Sequence, residues 1–112
     1  MKTTFGARVI DYVKKIPRGC VASYGQIAGL AGSPRAAIIV GQILLHSSEK
    51  DQLPWQRVIN SKGYISIINM KYPAEFQANL LMKEGVVVNK ADGHFRVDMK
   101  KYLWRPDKSR DN

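Results

Sequence analysis

Cysteine and histidine are scarce in this chain of 112 residues, which has one cysteine and two histidines. Cys20 has no second cysteine with which to form an internal disulfide, and His46 and His94 are too few for a zinc cluster. We therefore expect neither a structural metal nor a cofactor.

Long apolar runs are also missing. No stretch approaches the length of a transmembrane helix, and the first residues lack the apolar segment of a secretory signal peptide. We therefore expect no membrane contact and a reducing, intracellular location. That location would be the cytoplasm, in association with the nucleoid, in a bacterium, or the nucleus in a eukaryote.

Acidic residues are few relative to basic ones, with 9 Asp and Glu against 18 Lys and Arg, a net charge of +9. Such an excess attracts polyanions, so nucleic acid is the first partner to consider, although ribosomal and membrane-surface proteins share this charge. With 45% hydrophobic residues and no repeats, the chain fits one domain. We assign residues 1–105 to this domain and 106–112, which have nothing to bury, to a disordered tail.

Helix-capping residues divide the first third of the chain. Thr4 is expected to cap a first helix that ends at Pro17, and its apolar residues share one face. Ser23 and Gln26 have the spacing of a capping box, which predicts a second helix closed by Gly32.

A third helix is predicted from Ser33 as its cap, with Pro34 in its first turn. Two short helices joined by a tight link in a basic protein indicate a helix-turn-helix. A small apolar face is formed by Ala37, Val40, Gly41 and Leu44. The opposite face carries Arg35, Ile38, Ile39, Gln42 and His46. The two isoleucines either contact a partner or lie under a neighbouring loop.

The rest of the chain alternates strand and helix signals. Residues 46–52 are expected to form a polar loop, and residues 57–67 a hairpin whose turn contains Gly63. This hairpin would form a small wing. A fourth helix should run from Pro73 to a cap at Gly85, followed by strands at 86–88 and 94–97.

The segment Pro54-Trp55-Gln56-Arg57-Val58 resembles the Pro-Cys-His-Arg-Val signature of O6-alkylguanine-DNA alkyltransferases, with tryptophan in place of the reactive cysteine. Alkyl transfer needs a thiolate and an adjacent base, and neither an indole ring nor a glutamine amide can replace them. The form Pro-Trp-x-Arg-Val is that of the alkyltransferase-like proteins, which lack alkyl transfer. The alternative is a Pro-Trp pair that merely packs a loop onto the core.

Further motifs spread this resemblance over nearly the whole chain, from about Phe5 to Pro106. They are Ile16-Pro17-Arg18-Gly19, Ser23-Tyr24-Gly25-Gln26-Ile27-Ala28, Pro34-Arg35-Ala36-Ala37, Val40-Gly41, Asn60-Ser61-x-Gly63, Glu84-Gly85 and Tyr102-x-Trp104-x-Pro106. The resemblance implies an α+β, mainly helical fold, a winged helix-turn-helix-like domain similar to the C-terminal domain of the alkyltransferases.

The resemblance also implies roles for individual residues. The second and third helices would bind the minor groove, and the damaged guanine would be flipped into a pocket. Tyr24 would rotate the target phosphate, Ser61 would contact a phosphate, and the Val58 carbonyl would read the guanine edge. The implied lesion pocket comprises Tyr24, Pro54, Trp55, Gln56, Arg57 and Val58. The implied DNA-binding residues are Tyr24, Ser33, Arg35, Ile38, Ile39, Gln42 and Ser61.

Some positions depart from the family pattern. Ile38 stands where the family has an arginine finger that fills the place of the flipped base. Glu84 matches a glutamate that orients the catalytic histidine, which is absent here, so we expect it to keep a structural hydrogen-bonding role. Two roles stay open for Arg57: it either orients the pocket loop or meets a phosphate, or it forms a buried ion pair with a carboxylate. Cys20 matches no family role.

We therefore expect non-enzymatic binding of O6-alkylguanine lesions in duplex DNA by a monomer, with base flipping, which flags damage for nucleotide excision repair proteins. One alternative is a winged-helix transcription regulator, which would bind a specific operator without preference for lesions. Another is an active alkyltransferase with a different nucleophile, which would accept a labelled alkyl group.

Overall fold

A computed structural model describes residues 4–65 and 73–106, without the side chains of residues 48–51. The helices are α1 (Phe5–Lys15), α2 (Tyr24–Leu30), α3 (Ala37–Asp51), α4 (Ala74–Lys83) and α5 (Met99–Tyr102). The strands are β1 (Ala22–Ser23), β2 (Val58–Ile59), β3 (Val88–Ala91) and β4 (His94–Val97), and a 3₁₀ turn spans Trp55–Arg57. The predicted α+β, mainly helical fold is confirmed.

The capping residues predicted for the first two helices are confirmed. The Thr4 hydroxyl accepts a hydrogen bond from the Ala7 N–H at 3.1 Å. The Gln26 N–H donates to Ser23 Oγ at 2.9 Å, and the Ser23 N–H donates to Gln26 Oε1 at 3.4 Å, which completes the capping box. Each bond satisfies a backbone N–H that a helix start leaves without an intrahelical partner.

Both predicted ends of the third helix were wrong. The chain forms a turn from Ser33 to Ala36, in which the Ala36 N–H donates to the Ser33 carbonyl at 3.0 Å, so Ser33 does not cap α3. Pro34 holds the second position of this turn, where its fixed φ is favoured. At the other end, residues 46–51 continue α3 rather than forming a loop, and Gln52 follows with φ 54°. Polar residues are as common at a solvent-exposed helix end as in a loop, so the polar sequence at 46–51 did not distinguish the two.

The predicted hairpin at 57–67 is present at its turn, but its two arms form no strand pair among the described residues. The turn exists, because the Gly63 N–H donates to the Asn60 carbonyl at 2.9 Å with Gly63 at φ 93°. However, β2 pairs in parallel with β1, with Ala22 opposite Val58. Tyr64 forms an isolated bridge to β4, and residues 66 and 67 lie outside the described part of the chain.

The wing is formed instead by β3 and β4, which pair antiparallel with Val88 opposite Val97. The strand predicted at 86–88 begins only at its last residue, Val88, and runs to Ala91. The Val86 N–H instead donates to the Leu81 carbonyl at 3.1 Å and closes the end of α4. The fourth helix is confirmed, with Pro73 as its N-cap and Gly85 after its end at φ 90°.

Within residues 4–65 and 73–106, the core consists of two apolar clusters. The first joins α1, α2 and α3 and contains Val9, Val13, Ile16, Ala22, Ile27, Ala28, Ala31, Val40, Leu44, Leu53, Val58 and Trp104. The second lies between α4 and the wing and contains Val21, Ile59, Ile65, Ala78, Leu81, Val86 and Val97. The β2 strand contributes Val58 to the first cluster and Ile59 to the second, so the segment that leads into β2 lies where the clusters meet.

None of the helices described is long and apolar enough to cross a membrane. Residues 107–112, most of the predicted disordered tail, lie outside the described residues.

Candidate functional site

The segment Pro54–Val58, here called the pocket segment, enters β2 through the 3₁₀ turn. Trp55 begins this turn and is half-buried. Its ring stacks on Phe76 of α4, with centroids 6.4 Å apart and planes 10° from parallel. Because Phe76 is itself exposed, the pair places an aromatic surface at the edge of the molecule.

Glu84 holds the two side chains that follow Trp55. Arg57 Nε donates to Glu84 Oε1 at 2.9 Å, and Arg57 Nη2 donates to Oε2 at 3.0 Å, a two-pronged ion pair. Gln56 Nε2 also donates to Glu84 Oε2, at 2.8 Å. The remaining prong of Arg57, Nη1, donates to the Ile16 carbonyl at 2.8 Å. The pocket segment is thereby tied to the ends of both α1 and α4.

This network keeps Glu84 ionised. Burial raises the pKa of the Glu84 carboxyl, but hydrogen bonds from Arg57 and Gln56 and the charges of Arg57 and Arg18 outweigh it, so the pKa lies below its ordinary value. The structural hydrogen-bonding role expected for Glu84 is confirmed. Of the two roles left open for Arg57, the structure shows the ion pair, which also orients the pocket segment.

The mixed polar and apolar face predicted on the third helix is confirmed except for Arg35. Ile38 is 78% exposed and Ile39 is 49% exposed, so no loop described here covers them. Gln42 and His46 are exposed on the same helix, whereas Arg35 lies exposed in the preceding turn rather than on α3 itself. Two isoleucines thus stand in solvent among polar neighbours.

Tyr24 and Ser61 lie at the same end of the short parallel sheet. Tyr24 directly follows β1, and Ser61 lies in the turn that follows β2. Since the carboxyl ends of parallel strands share one edge, the structure brings these two residues to the same edge. Ser33 is half-buried in the turn before α3.

Ser61 also borders a depression of about 530 Å³ on the wing side of the molecule. Its lining includes the cationic side chains of Lys62, Arg96 and Lys100, together with Asp98. The described residues contain no group of three or more His, Cys, Asp or Glu side chains that could hold a metal ion.

A family model, "6-O-methylguanine DNA methyltransferase, DNA binding domain", matches residues 4–86. The chain is 43% identical over 101 residues to the "DNA base-flipping protein" of Escherichia coli, covering 90% of this chain and 74% of that protein. It is 37% identical over 103 residues to "Alkyltransferase-like protein 1" of Schizosaccharomyces pombe, covering 91% and 95% of the two chains. The chain belongs to the alkyltransferase-like family.

The crystal structure of Schizosaccharomyces pombe Atl1 in complex with damaged DNA containing O6-carboxymethylguanine has the same fold. It matches with a TM-score of 0.85 and 36% identity, and the match covers 95% of this chain and all of that one. The two proteins therefore share one fold over nearly the whole of this chain.

In this alkyltransferase-like chain, the sequence did not indicate that Gln77 contacts the pocket segment. Gln77 of α4 is only 5% exposed, and its Nε2 donates to the carbonyls of Gln56 at 3.0 Å and Val58 at 3.1 Å. The Val58 carbonyl, assigned by resemblance to the guanine edge, therefore already accepts one bond. A glutamine among helix residues carries no sequence signal of burial, so this contact could not be predicted.

Proposed function

We propose that this protein binds O6-alkylguanine lesions in duplex DNA, holds the damaged base in an extrahelical position and does not remove the alkyl group. The observation that carries this proposal is Trp55, which occupies the position of the reactive cysteine within a pocket segment that Glu84 and Gln77 hold in place. The relatives named for base flipping, and the similar fold bound to O6-carboxymethylguanine DNA, support it.

The chemistry of the pocket segment argues against alkyl transfer. Trp55 has no thiolate to attack the alkyl carbon, and the Gln56 amide is a neutral donor to Glu84 rather than a base. Cys20, the single thiol, lies in the link between α1 and β1, outside the pocket segment. What the segment offers a flipped base is an aromatic surface and backbone hydrogen-bonding groups.

Binding without alkyl transfer leaves the lesion in place, so we infer that the complex marks the damaged site for repair by other proteins. The protein shields the lesion and presents it to nucleotide excision repair proteins, in the nucleoid of a bacterium or the nucleus of a eukaryote. It would act as a monomer and without a cofactor.

Titration against matched duplexes with guanine or O6-methylguanine tests the proposal. Base–aromatic stacking contributes about 1–3 kcal/mol, so Trp55→Ala should lose most of the preference for the lesion and keep its affinity for undamaged DNA. Trp55→Phe, which retains a smaller ring, is the matched control and should keep part of the preference. Equal losses on both duplexes would show that Trp55 only stabilises the fold.

The competing functions give different results in the same assays. A transcription regulator would bind one operator sequence with no preference for the lesion. An alkyltransferase would acquire a labelled alkyl group, and stoichiometric alkyl-cysteine in Trp55→Cys would contradict the argument that Gln56 cannot serve as the base.

A further inference from the structure

Gln77 is an unusual residue for its position. It lies on the buried side of α4, next to Ala78 and one turn before Leu81, both of which belong to the second core cluster. Ser23 and Gln77 are the buried polar side chains among the described residues, and Ser23 caps α2. Because burying an amide costs free energy unless it is hydrogen-bonded, an apolar side chain would fill this position at lower cost.

The hydrogen bonds of Gln77 lead to the pocket segment. Its Nε2 donates to the carbonyls of Gln56 and Val58, on the two sides of Arg57 in the sequence. The two N–H bonds of an amide diverge at a fixed angle, so one side chain sets the relative position of both carbonyls. A carboxylate could not do this, since it offers only acceptors.

Glu84 anchors the same segment in a complementary way. It binds the side chains of Gln56 and Arg57, whereas Gln77 binds backbone carbonyls. The two residues are seven positions apart, close to two helical turns, and so lie on the same side of α4. Phe76, the neighbour of Gln77, stacks on Trp55. Side chains of α4 and its C-cap thus hold the ring, the side chains and the backbone of the pocket segment.

We propose that Gln77 is a positioning residue for lesion recognition: its buried amide fixes the backbone of the pocket segment and thereby the direction in which Trp55 faces the flipped base. This inference rests on the proposed function. Gln77 is buried beneath the pocket segment and acts on the lesion through Trp55 and the Val58 carbonyl.

The variant Gln77→Met tests the proposal, because methionine is nearly isosteric but donates no hydrogen bond. We expect it to weaken binding to an O6-methylguanine duplex about tenfold, in keeping with the loss of two neutral hydrogen bonds, and to leave binding to the guanine duplex unchanged. Val13→Ala, a core change in α1 outside the pocket segment, is the control for lost stability. Should Val13→Ala lower the lesion preference as much as Gln77→Met, the positioning role is excluded.

A ¹⁹F NMR experiment on the protein without DNA reports the position of Trp55. Fluorotryptophan placed at both tryptophans of the chain gives two ¹⁹F resonances, which Trp55→Phe assigns. In Gln77→Met the Trp55 resonance should shift or broaden while that of the buried Trp104 stays in place. An unmoved Trp55 resonance would overturn the proposal, as would equal shifts of both resonances, which indicate a general loss of packing.

The ¹⁹F NMR experiment also distinguishes a failure of this inference from a failure of the proposed function. If the wild-type protein shows no lesion preference, the proposed function fails, and the ¹⁹F spectra still decide whether Gln77 sets the position of Trp55.

If Gln77→Met does not fold, Gln77→Asn replaces it. Its amide is one methylene too short to reach both carbonyls, so an intermediate loss of preference and a smaller Trp55 shift are expected. Wild-type behaviour in both measurements would contradict the proposal.

Discussion

Ile38 is the second residue of α3 and projects into solvent with 78% of its surface exposed. An exposed apolar side chain lowers solubility, and Ile38 belongs to neither core cluster. Contact with a partner therefore explains its exposed position. Apolar wedges hold unstacked base steps open in minor-groove architectural proteins, but they cannot hydrogen-bond an orphaned base. We therefore expect Ile38 to fill the space left by a flipped base without compensating the lost pairing.

Ile38→Arg tests this role by adding a donor for the orphaned base. It should strengthen binding to an O6-methylguanine duplex more than to a guanine duplex, and a fluorescent base analogue beside the lesion should report greater unstacking. Gln42→Arg, which adds the same charge on the same exposed face, is the control and should strengthen both complexes equally. Equal gains for Ile38→Arg, with no change in unstacking, would mean that position 38 does not enter the base stack.

At the scale of elements, the C-cap of α4 joins three parts of the fold. Glu84 is 7% exposed in its side chain and Arg57 16%, and Arg57 also reaches the end of α1. Removing one member of such a pair leaves the other charge buried without compensation. The links of the pocket segment to the ends of α1 and α4 therefore depend on one carboxylate.

Glu84→Gln should lower the free energy of unfolding by about 3 kcal/mol at neutral pH. Because the pKa of Glu84 is lower in the folded state than its ordinary 4.5, its contribution is present above that value and is lost as the pH falls through the folded pKa. The difference between wild type and variant should thus shrink below about pH 4.5. Urea unfolding across the acid range measures it, with the exposed Glu75→Gln as control. A variant no different from Glu75→Gln would contradict the assigned role of Glu84.

At the scale of the whole molecule, we expect the net charge of +9 to dominate contact with undamaged DNA. Each phosphate neutralised by a cation releases counterions, so log K falls with log salt at about −0.9 per contact. Arg35, exposed in the turn that leads into α3, is close to the helix N-terminus, where phosphates are favoured.

Arg35→Ala should therefore reduce the salt slope by about one unit and weaken damaged and undamaged complexes alike. Lys83→Ala, which removes an exposed cation at the end of α4, should leave the slope unchanged. Titrations at several salt concentrations compare the three proteins. If Arg35→Ala has the slope of the wild type, Arg35 faces away from the DNA.

The sequence by itself determined those parts of the protein that depend on near neighbours. The Thr4 cap, the Ser23 capping box, the turn at Gly63 and the end of α4 at Gly85 follow from contacts or backbone angles within a few residues. The replacement of a reactive cysteine by Trp55 is equally local, because the loss of a nucleophile requires no knowledge of the fold.

Only the tertiary structure decided which distant groups meet. The strand β2 pairs with β1 rather than within a hairpin, because both strands bury side chains in the shared core. Arg57 and Glu84 are 27 residues apart, and Gln77 and Val58 are 19 apart. The buried side of α4 is defined by the core it covers, so a glutamine there can be recognised as an anchor only once its partners are in place.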